Sequence, residues 1–286
     1  MFGFIGWVGQ VVRIGFGLVS DWWLKAGHDK KVAMNIVLFT DQERALGVQA
    51  SDPRVEHVRH VLGLADGQWF DAGVINGDRG KAKFALESEG RIQIQFQSMQ
   101  AVPELYPVDV VVGLSRPQTC RFLLRSLASL GVRSIEFVVT DSGQRSYASS
   151  QLWTSGEYLQ IVTSAVSQAF ETKLPAIRFD RTLSEAAKAW GGGSGVPTAK
   201  ICLDNYEATT SLGLAIGGET MSACLFIGSE RGWSDGERML IREHGFVMSS
   251  LGRRVLRVET AAVAAVSAVL ANTFWKTELG TVSSRD

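Results

Sequence analysis

Short apolar runs, bounded by glycine or polar residues, recur through the second half of the chain. Each is too short for a buried helix. Their nearly continuous apolar character is typical of strands buried on both faces of a parallel sheet. The predicted strands are residues 108–114, 135–139, 177–179, 200–203, 223–228 and 246–248.

Segments of helical length separate these runs. Pro117 suits the first turn of a helix, and Phe122, Leu123, Leu127 and Leu130 follow at helical spacing. One long helix is predicted over residues 152–170, and further helices over residues 183–190, 236–244 and 259–275. Because strands and helices alternate, this half of the chain is predicted to be an α/β domain with a parallel sheet.

The segment before it has a different pattern. Residues 68–75, 81–86 and 92–96 are short strand-like runs, and residues such as Asn76 and Gly77 between them favour turns. They predict a small, mostly β domain over residues 34–103. Two prolines within residues 102–107 mark a linker, so the α/β domain is assigned residues 104–286.

Residues 1–33 are rich in glycine and aromatic residues, but Gln10, Arg13, Ser20 and Asp21 interrupt the apolar character. A membrane-spanning helix needs about 20 nearly uninterrupted apolar residues. The preferred interpretation is an upstream extension outside the fold, with no stable membrane association. An interfacial helix, a membrane span and a cleaved signal remain as alternatives.

The composition is that of a globular protein, because 45% of the 286 residues are hydrophobic. With 29 basic and 29 acidic residues, affinity for a nucleic acid must come from local basic patches. The three cysteines and four histidines lack metal-ligand spacing, so no metal site is predicted. Cys202 and Cys224 lie in apolar runs and are expected to be buried thiols of a cytoplasmic protein.

Two glycine-containing turns near the carboxyl terminus are the strongest candidate for a binding site. The first follows the strand over residues 223–228, and Ser234 then offers a cap for the next helix. The second turn, at Leu251 and Gly252, follows the strand over residues 246–248. Because both turns come directly after predicted strands, we expect a pocket for a small molecule at the strand ends.

The residues of these turns also resemble a known family. Residues 227–234 (IGSERGWS) and 251–261 (LGRRVLRVETA) are similar to the two signature motifs of RsmE-type methyltransferases of small-subunit ribosomal RNA, of the SPOUT class. Ser229 and Arg231 differ from the proline and glycine usual in that family. The resemblance covers nearly all of the chain after Met34, but Glu171 stands where the family usually has arginine.

The resemblance implies a C-terminal α/β-knot (SPOUT-type) domain preceded by a small PUA-like β-barrel that binds RNA. It also implies the cofactor S-adenosyl-L-methionine, ribosomal RNA as the partner, and a homodimer to which the C-terminal helix contributes. The expected cofactor-binding residues are Ile227, Gly228, Glu230, Gly232, Leu251, Gly252, Arg254 and Leu256.

By the same resemblance, the reaction is methylation of a uridine at N(3). This nitrogen must lose its proton before it can attack, and a guanidinium near the flanking carbonyl oxygens would stabilise the resulting anion. Arg257 is the candidate for this role, and Glu259 and Glu230 are candidates to accept the proton or orient the arginine. A purely structural network of these arginine and glutamate side chains is the alternative. Trp233 is assigned either to the core or to stacking on a base.

A second class of function stays open at this stage. A non-catalytic RNA-binding or ribosome-assembly protein could keep the methyltransferase fold. The departures at Ser229, Arg231 and Glu171 favour it. Binding of S-adenosylmethionine distinguishes the two classes, because only the enzyme requires it.

Overall fold

The computed structural model describes residues 35–88, 90–192, 198–218 and 220–275. These residues belong to one compact unit. The expectations for residues 1–33 fall outside the described part of the chain. No helix in the described ranges is both long enough and apolar enough to cross a lipid bilayer.

The first five strands form a curled, mostly antiparallel sheet in the order β1-β3-β4-β5-β2, in which only β1 and β3 run parallel. They are β1 (Val37–Phe39), β2 (Val48–Gln49), β3 (Phe70–Val74), β4 (Arg79–Ser88) and β5 (Arg91–Gln100). Helix α1 (Asp41–Leu46) follows β1, and α2 (Pro53–Glu56) continues into a π-helical segment (His57–Val61). The inner face of the sheet buries Phe39, Phe70, Phe84 and Ile92 under these helices. The mostly β character expected of this region is confirmed.

The remaining seven strands form one fully parallel sheet in the order β10-β12-β9-β11-β6-β7-β8. They are β6 (Tyr106–Gly113), β7 (Val132–Val138), β8 (Ala176–Arg178), β9 (Thr198–Leu203), β10 (Thr210–Ser211), β11 (Ser222–Ile227) and β12 (Val247–Ser250). All six strands predicted from apolar runs are present, and the α/β prediction is confirmed. Strand β10 was not predicted, because two residues produce no recognisable pattern.

Helices connect the parallel strands as the alternation predicts. They are α3 (Pro117–Ser129), α4 (Gln151–Thr154), α5 (Glu157–Gln168), α6 (Leu183–Gly191), α7 (Leu212–Ile216), α8 (Asp235–Glu243) and α9 (Val258–Asn272). The prediction of one continuous helix over residues 152–170 is wrong. Gly156 has a φ of +76°, a left-handed conformation that interrupts the helix between α4 and α5.

Alternate residues of each parallel strand face opposite layers of helices. On β11, Leu225 and Ile227 pack with the core beneath α3, α5 and α9, whereas Cys224 and Phe226 pack beneath α6 and α8. Cys202 is also buried on the second face. Both cysteines are therefore buried thiols, as expected, and burial raises their pKa far above the usual range.

The long C-terminal helix α9 packs inside its own subunit. Val266, Val269 and Leu270 are fully buried in the core shared with α3 and β11. Val263 is only half-buried. The apolar side chains of this helix are thus largely buried within the chain itself.

The two sheets are joined by contacts around Arg79. Its guanidinium donates a 2.6 Å hydrogen bond to the carbonyl oxygen of Phe170 and lies 3.6 Å from the Glu171 carboxylate. Asn76 accepts a hydrogen bond from the backbone N–H of Leu174. The glutamate at 171, where the resembled family usually has arginine, therefore has a local explanation, because its carboxylate lies beside an arginine that connects the two sheets.

Candidate functional site

The two predicted turns leave the same edge of the parallel sheet, on either side of one strand end. Leu203, the last residue of β9, is paired with Ile227 at the end of β11 and with Ser249 near the end of β12. Because all three strands are parallel, the residues after Ile227, Leu203 and Ser250 emerge together at the carboxyl edge. This is the edge at which open α/β sheets bind their ligands.

The first turn, residues 228–234, is tightly packed. A Cβ atom on Gly228 would lie 2.9 Å from the Cα atom of Gly232, and one on Gly113 would lie 2.5 Å from the backbone nitrogen of Ser229. The backbone N–H of Gly232 donates to the carbonyl oxygen of Ser229 at 2.9 Å. Glycine is therefore required here by the close approach of two backbones. The serine at 229 is accommodated as a buried residue of this turn.

Glu230 ties the first turn to helix α3. Its carboxylate accepts hydrogen bonds from the backbone N–H of Arg116 at 3.2 Å and from the hydroxyl of Thr119 at 3.3 Å. The Arg116 guanidinium lies 3.5 Å away. Burial acts to raise the pKa of Glu230, but backbone hydrogen bonds and the arginine outweigh it, so the pKa lies below its ordinary value. The carboxylate is held charged at the amino terminus of α3.

Trp233 belongs to the core. It is 3% exposed and packs with Phe226, Ile241 and Phe246 on the α6/α8 side of the sheet. The next residue, Ser234, caps α8 in a reciprocal arrangement with Glu237. The first turn thus ends in a buried ring and a capped helix, and the stacking role considered for Trp233 is not available to a buried ring.

The second turn, residues 251–257, is open. Gly252 has a φ of +119°, and a Cβ built there would meet nothing within 4 Å. The side chains of Arg254 and Arg257 are exposed, whereas those of Leu251 and Leu256 are half-buried. Among the described residues, the backbone N–H groups from 253 to 257 have no hydrogen-bond partner in the protein. Such a segment can offer both N–H donors and guanidinium groups to a ligand.

The structural network considered for Arg257 is not seen. Arg257 occupies the N-cap position of α9, and Glu259 lies in the first turn of that helix. Within the described ranges, no ion pair joins Arg257 to Glu259 or to Glu230, which is engaged by Arg116 instead. The Arg257 guanidinium is therefore available for a substrate.

Residues that the sequence analysis overlooked lie between the two turns. Asp204 directly follows β9 and pairs with Arg238 of α8, with 2.8 Å between Oδ2 and Nε and both side chains buried. Tyr206, two residues later, is exposed. The position of an aspartate directly after a predicted parallel strand was the available signal, by the same rule that identified the glycine turns.

The geometry at this edge suits the expected cofactor. Gly232 and Gly252 both have open space where a side chain would otherwise stand, and the second turn has N–H donors beside arginines that bond to no other described residue. A ligand with a ribose, a purine and a charged amino-acid end needs such donors together with close backbone approach. The residues present therefore fit S-adenosylmethionine.

Comparison with known proteins adds independent findings. A model of the RNA methyltransferase domain matches residues 103–270. The chain is 38% identical over 257 residues to ribosomal RNA small subunit methyltransferase E of Treponema pallidum, covering 86% of this chain and 94% of that protein. It is 26% identical over 235 residues to ribosomal RNA small subunit methyltransferase E 1 of Borreliella burgdorferi, covering 81% and 95%.

Two solved structures share the fold. A putative methyltransferase of Legionella pneumophila, in complex with the bound cofactor SAM, has a TM-score of 0.69 at 22% identity, covering 84% of this chain and 98% of that one. Ribosomal RNA small subunit methyltransferase E from Neisseria gonorrhoeae, bound to S-adenosyl methionine, has a TM-score of 0.67 at 22% identity, with the same coverage. The predicted fold class, an α/β-knot domain of SPOUT type after a small PUA-like β-barrel, is confirmed, and the N-terminal sheet has the form of a curled half-barrel.

Proposed function

The chain belongs to the RsmE family of small-subunit ribosomal RNA methyltransferases, and we propose that it methylates a uridine of 16S ribosomal RNA at N(3), with S-adenosylmethionine as methyl donor. The observation that carries this proposal is the meeting of the two signature turns on either side of Leu203, with Arg254 and Arg257 exposed beside them. This arrangement supports a cofactor site at one sheet edge, beside guanidinium groups that form no ion pair with another described residue.

The cofactor would supply a methyl group already activated on a sulfonium, so the protein has mainly to bind, orient and stabilise charge. Backbone groups of residues 227–232 and 251–256 are proposed to hold its adenosine portion. Arg254 is proposed to contact its carboxylate or a phosphate of the RNA. No residue of the chain needs to form a covalent bond.

Arg257 is proposed to stabilise the uracil anion that forms when N(3) loses its proton. A guanidinium beside one of the two flanking carbonyl oxygens can donate charge-assisted hydrogen bonds to it, which are the stronger kind, and leaves N(3) open to the methyl group. Its exposure and the absence of any described ion pair to Glu230 or Glu259 support this role. Glu259, half-buried in the first turn of α9, is the better-placed proton acceptor, because Glu230 is already occupied at α3.

The homodimer and the domain boundary are further parts of the proposal. Phe122 on α3 and Leu159 on α5 are 45% and 49% exposed, although the two helices pack side by side. Apolar side chains exposed on adjacent helices suit a subunit interface. Light scattering on the purified protein tests the dimer.

The proposed boundary between the β domain and the α/β domain is the gap between β5, which ends at Gln100, and β6, which begins at Tyr106.

Two measurements test the function. Isothermal titration should detect binding of S-adenosylmethionine, and its failure would favour the non-catalytic RNA-binding alternative. Mass mapping of 16S ribosomal RNA from cells lacking this protein should reveal one unmethylated uridine, which the purified protein then methylates in vitro. A complete modification pattern in those cells would contradict the proposal.

A further inference from the structure

We propose that Tyr206 is a stacking platform for a base of the RNA substrate, beside the two turns. This inference rests on the proposed function, because it names a contact of the same site with its substrate. It assigns a role to the segment from 204 to 209, which neither signature motif contains.

The location of this segment puts Tyr206 at the functional edge. Strand β9 ends at Leu203, between the two strands that carry the turns. The backbone N–H of Asp204 then donates to the carbonyl oxygen of Ser249, and that of Thr209 donates to the carbonyl oxygen of Met248. The intervening residues therefore pass over β12 close to the point where the second turn begins.

The segment is held rigidly by its own contacts. One carboxylate oxygen of Asp204 accepts hydrogen bonds from the backbone N–H groups of Tyr206 and Glu207, each at 2.7 Å. The other accepts from Arg238 at 2.8 Å, in a pair that is nearly completely buried. Glu207 also forms an ion pair with Arg242, which lies with Arg238 on helix α8. Two ion pairs and a closed turn thus fix the backbone on either side of the tyrosine.

Tyr206 is nevertheless 82% exposed. The guanidinium carbon of Arg238 lies over one face of its ring, 5.4 Å from the centroid. At this exposure the ring meets solvent over most of its surface, including the face away from Arg238. A tyrosine on a fixed backbone has only two side-chain torsions to order on binding, so it loses little conformational freedom when it stacks on a planar ligand.

The charges near Tyr206 favour a nucleic-acid base, rather than an apolar protein side chain, as the ligand of its ring. The neighbouring turn carries the exposed guanidinium groups of Arg253, Arg254 and Arg257. Phosphates accompany every base of an RNA strand, and stacking on aromatic side chains with phosphates near arginines is the common mode of single-strand recognition. The same ring could alternatively stack on the adenine of the cofactor, and the test separates these ligands.

The test compares Tyr206→Ala, Tyr206→Leu and Tyr206→Phe in the full-length protein. Small ribosomal subunits from cells lacking the protein serve as substrate. Tyr206→Ala and Tyr206→Leu should raise the KM for RNA about tenfold or more, as expected for loss of a base–aromatic stack, with kcat changed far less. Tyr206→Phe should restore the wild-type KM, because it keeps the π face. Affinity for S-adenosylmethionine and the melting temperature should stay unchanged.

Met239→Ala is the matched control, since Met239 is 58% exposed on the same helix α8 that holds the segment. A wild-type KM for Tyr206→Ala would overturn the inference. Weaker cofactor binding in that variant would instead assign the ring to adenine, and a lower melting temperature would assign it to stability. Either weaker cofactor binding or a lower melting temperature would therefore also overturn the assignment of Tyr206 to RNA stacking.

A binding experiment separates failure of this inference from failure of the proposed function. Fluorescence anisotropy with a short labelled oligouridylate measures RNA binding without methyl transfer. The wild type could bind the oligonucleotide without methylating subunits, while Tyr206→Ala loses that binding. This result would support the stacking role of Tyr206 and contradict the proposed reaction. If methylation proceeds and Tyr206→Ala binds normally, the reaction stands while the platform fails.

Discussion

Both glycine turns have an aliphatic residue followed by glycine at the end of a parallel strand, but their surroundings differ. The first, residues 228–234, is anchored through Glu230 to α3 and through the buried ring of Trp233 to the core. The second, residues 251–257, has exposed arginines and, among the described residues, backbone donors without protein partners. The first turn is therefore fixed to the core and to α3, whereas the second leaves more of its groups exposed.

This division has a simple physical basis. A buried turn must satisfy its polar groups within the protein, so few remain for a ligand. An exposed turn leaves its donors to water, which a ligand can displace. Substitutions in the first turn should therefore lower the stability of the protein, whereas substitutions in the second should reduce binding or catalysis.

Of the substitutions proposed here, Trp233→Ala should have the largest effect, which is a loss of stability. Removing a fully buried aromatic side chain typically lowers the free energy of unfolding by about 3–5 kcal/mol. Chemical denaturation measures this change in the free energy of unfolding. Val255→Ala in the second turn is the matched control. Val255 is 79% exposed, so its truncation should change stability by less than about 0.5 kcal/mol. Equal losses for both variants would remove the distinction between the turns.

Arg257→Lys should slow methyl transfer roughly a hundredfold, which corresponds to about 3 kcal/mol of lost transition-state stabilisation. The ammonium keeps the charge but loses the planar fork. Single-turnover rates at two pH values should show the defect shrinking as pH rises, because bulk base then helps to remove the proton. Melting temperature and cofactor affinity should not change.

Arg44→Lys, an exposed arginine on α1 outside both turns, is the control for Arg257 and should keep near-wild-type rates. A destabilised Arg257→Lys protein with a rate defect independent of pH would assign Arg257 to a structural role.

Gly252→Val should abolish binding of S-adenosylmethionine and leave the half-barrel folded. The φ of +119° is strained for any L side chain, at a cost on the order of 1–3 kcal/mol, which the turn can relieve only by moving. Titration calorimetry measures the affinity. Gly63→Val is the control, because Gly63 also has a positive φ, +66°, with open space around it, but lies in the N-terminal region. Wild-type affinity in Gly252→Val would exclude this turn from the pocket.

Glu230→Gln should have the smallest effect, at most about 1 kcal/mol, as is typical of a partly exposed ion pair. The folded-state pKa of Glu230 lies below its ordinary value, so its carboxylate stabilises the fold above the unfolded-state pKa. This contribution is lost as pH falls through the folded-state pKa. Melting curves of wild type and variant should therefore differ at neutral pH and converge in acid.

Glu243→Gln, an exposed change of the same charge on α8, is the control for Glu230 and should leave the melting temperature unaltered at every pH. A difference between wild type and Glu230→Gln that persists in acid would show that the hydrogen-bonded carboxylate is not its source.

The sequence by itself determined six of the seven strands of the parallel sheet and the two glycine turns that follow β11 and β12. Apolar runs such as residues 108–114 and 223–228 indicate buried strands because parallel strands covered on both faces have few polar positions. Ser234 indicated the start of α8 because capping depends on residues close in the chain. The two signature motifs indicated the family for the same reason, since each is continuous in sequence.

Only the tertiary structure decided which groups stay available for chemistry. Glu230 is engaged by Arg116 and Thr119, more than a hundred positions away in the chain, and no local pattern encodes that contact. Arg257 is left open, and Tyr206 reaches the edge because β9 lies between β11 and β12. Burial and pairing depend on residues distant in sequence, and strand order is set by packing of the whole sheet, so neither can be derived from local periodicity.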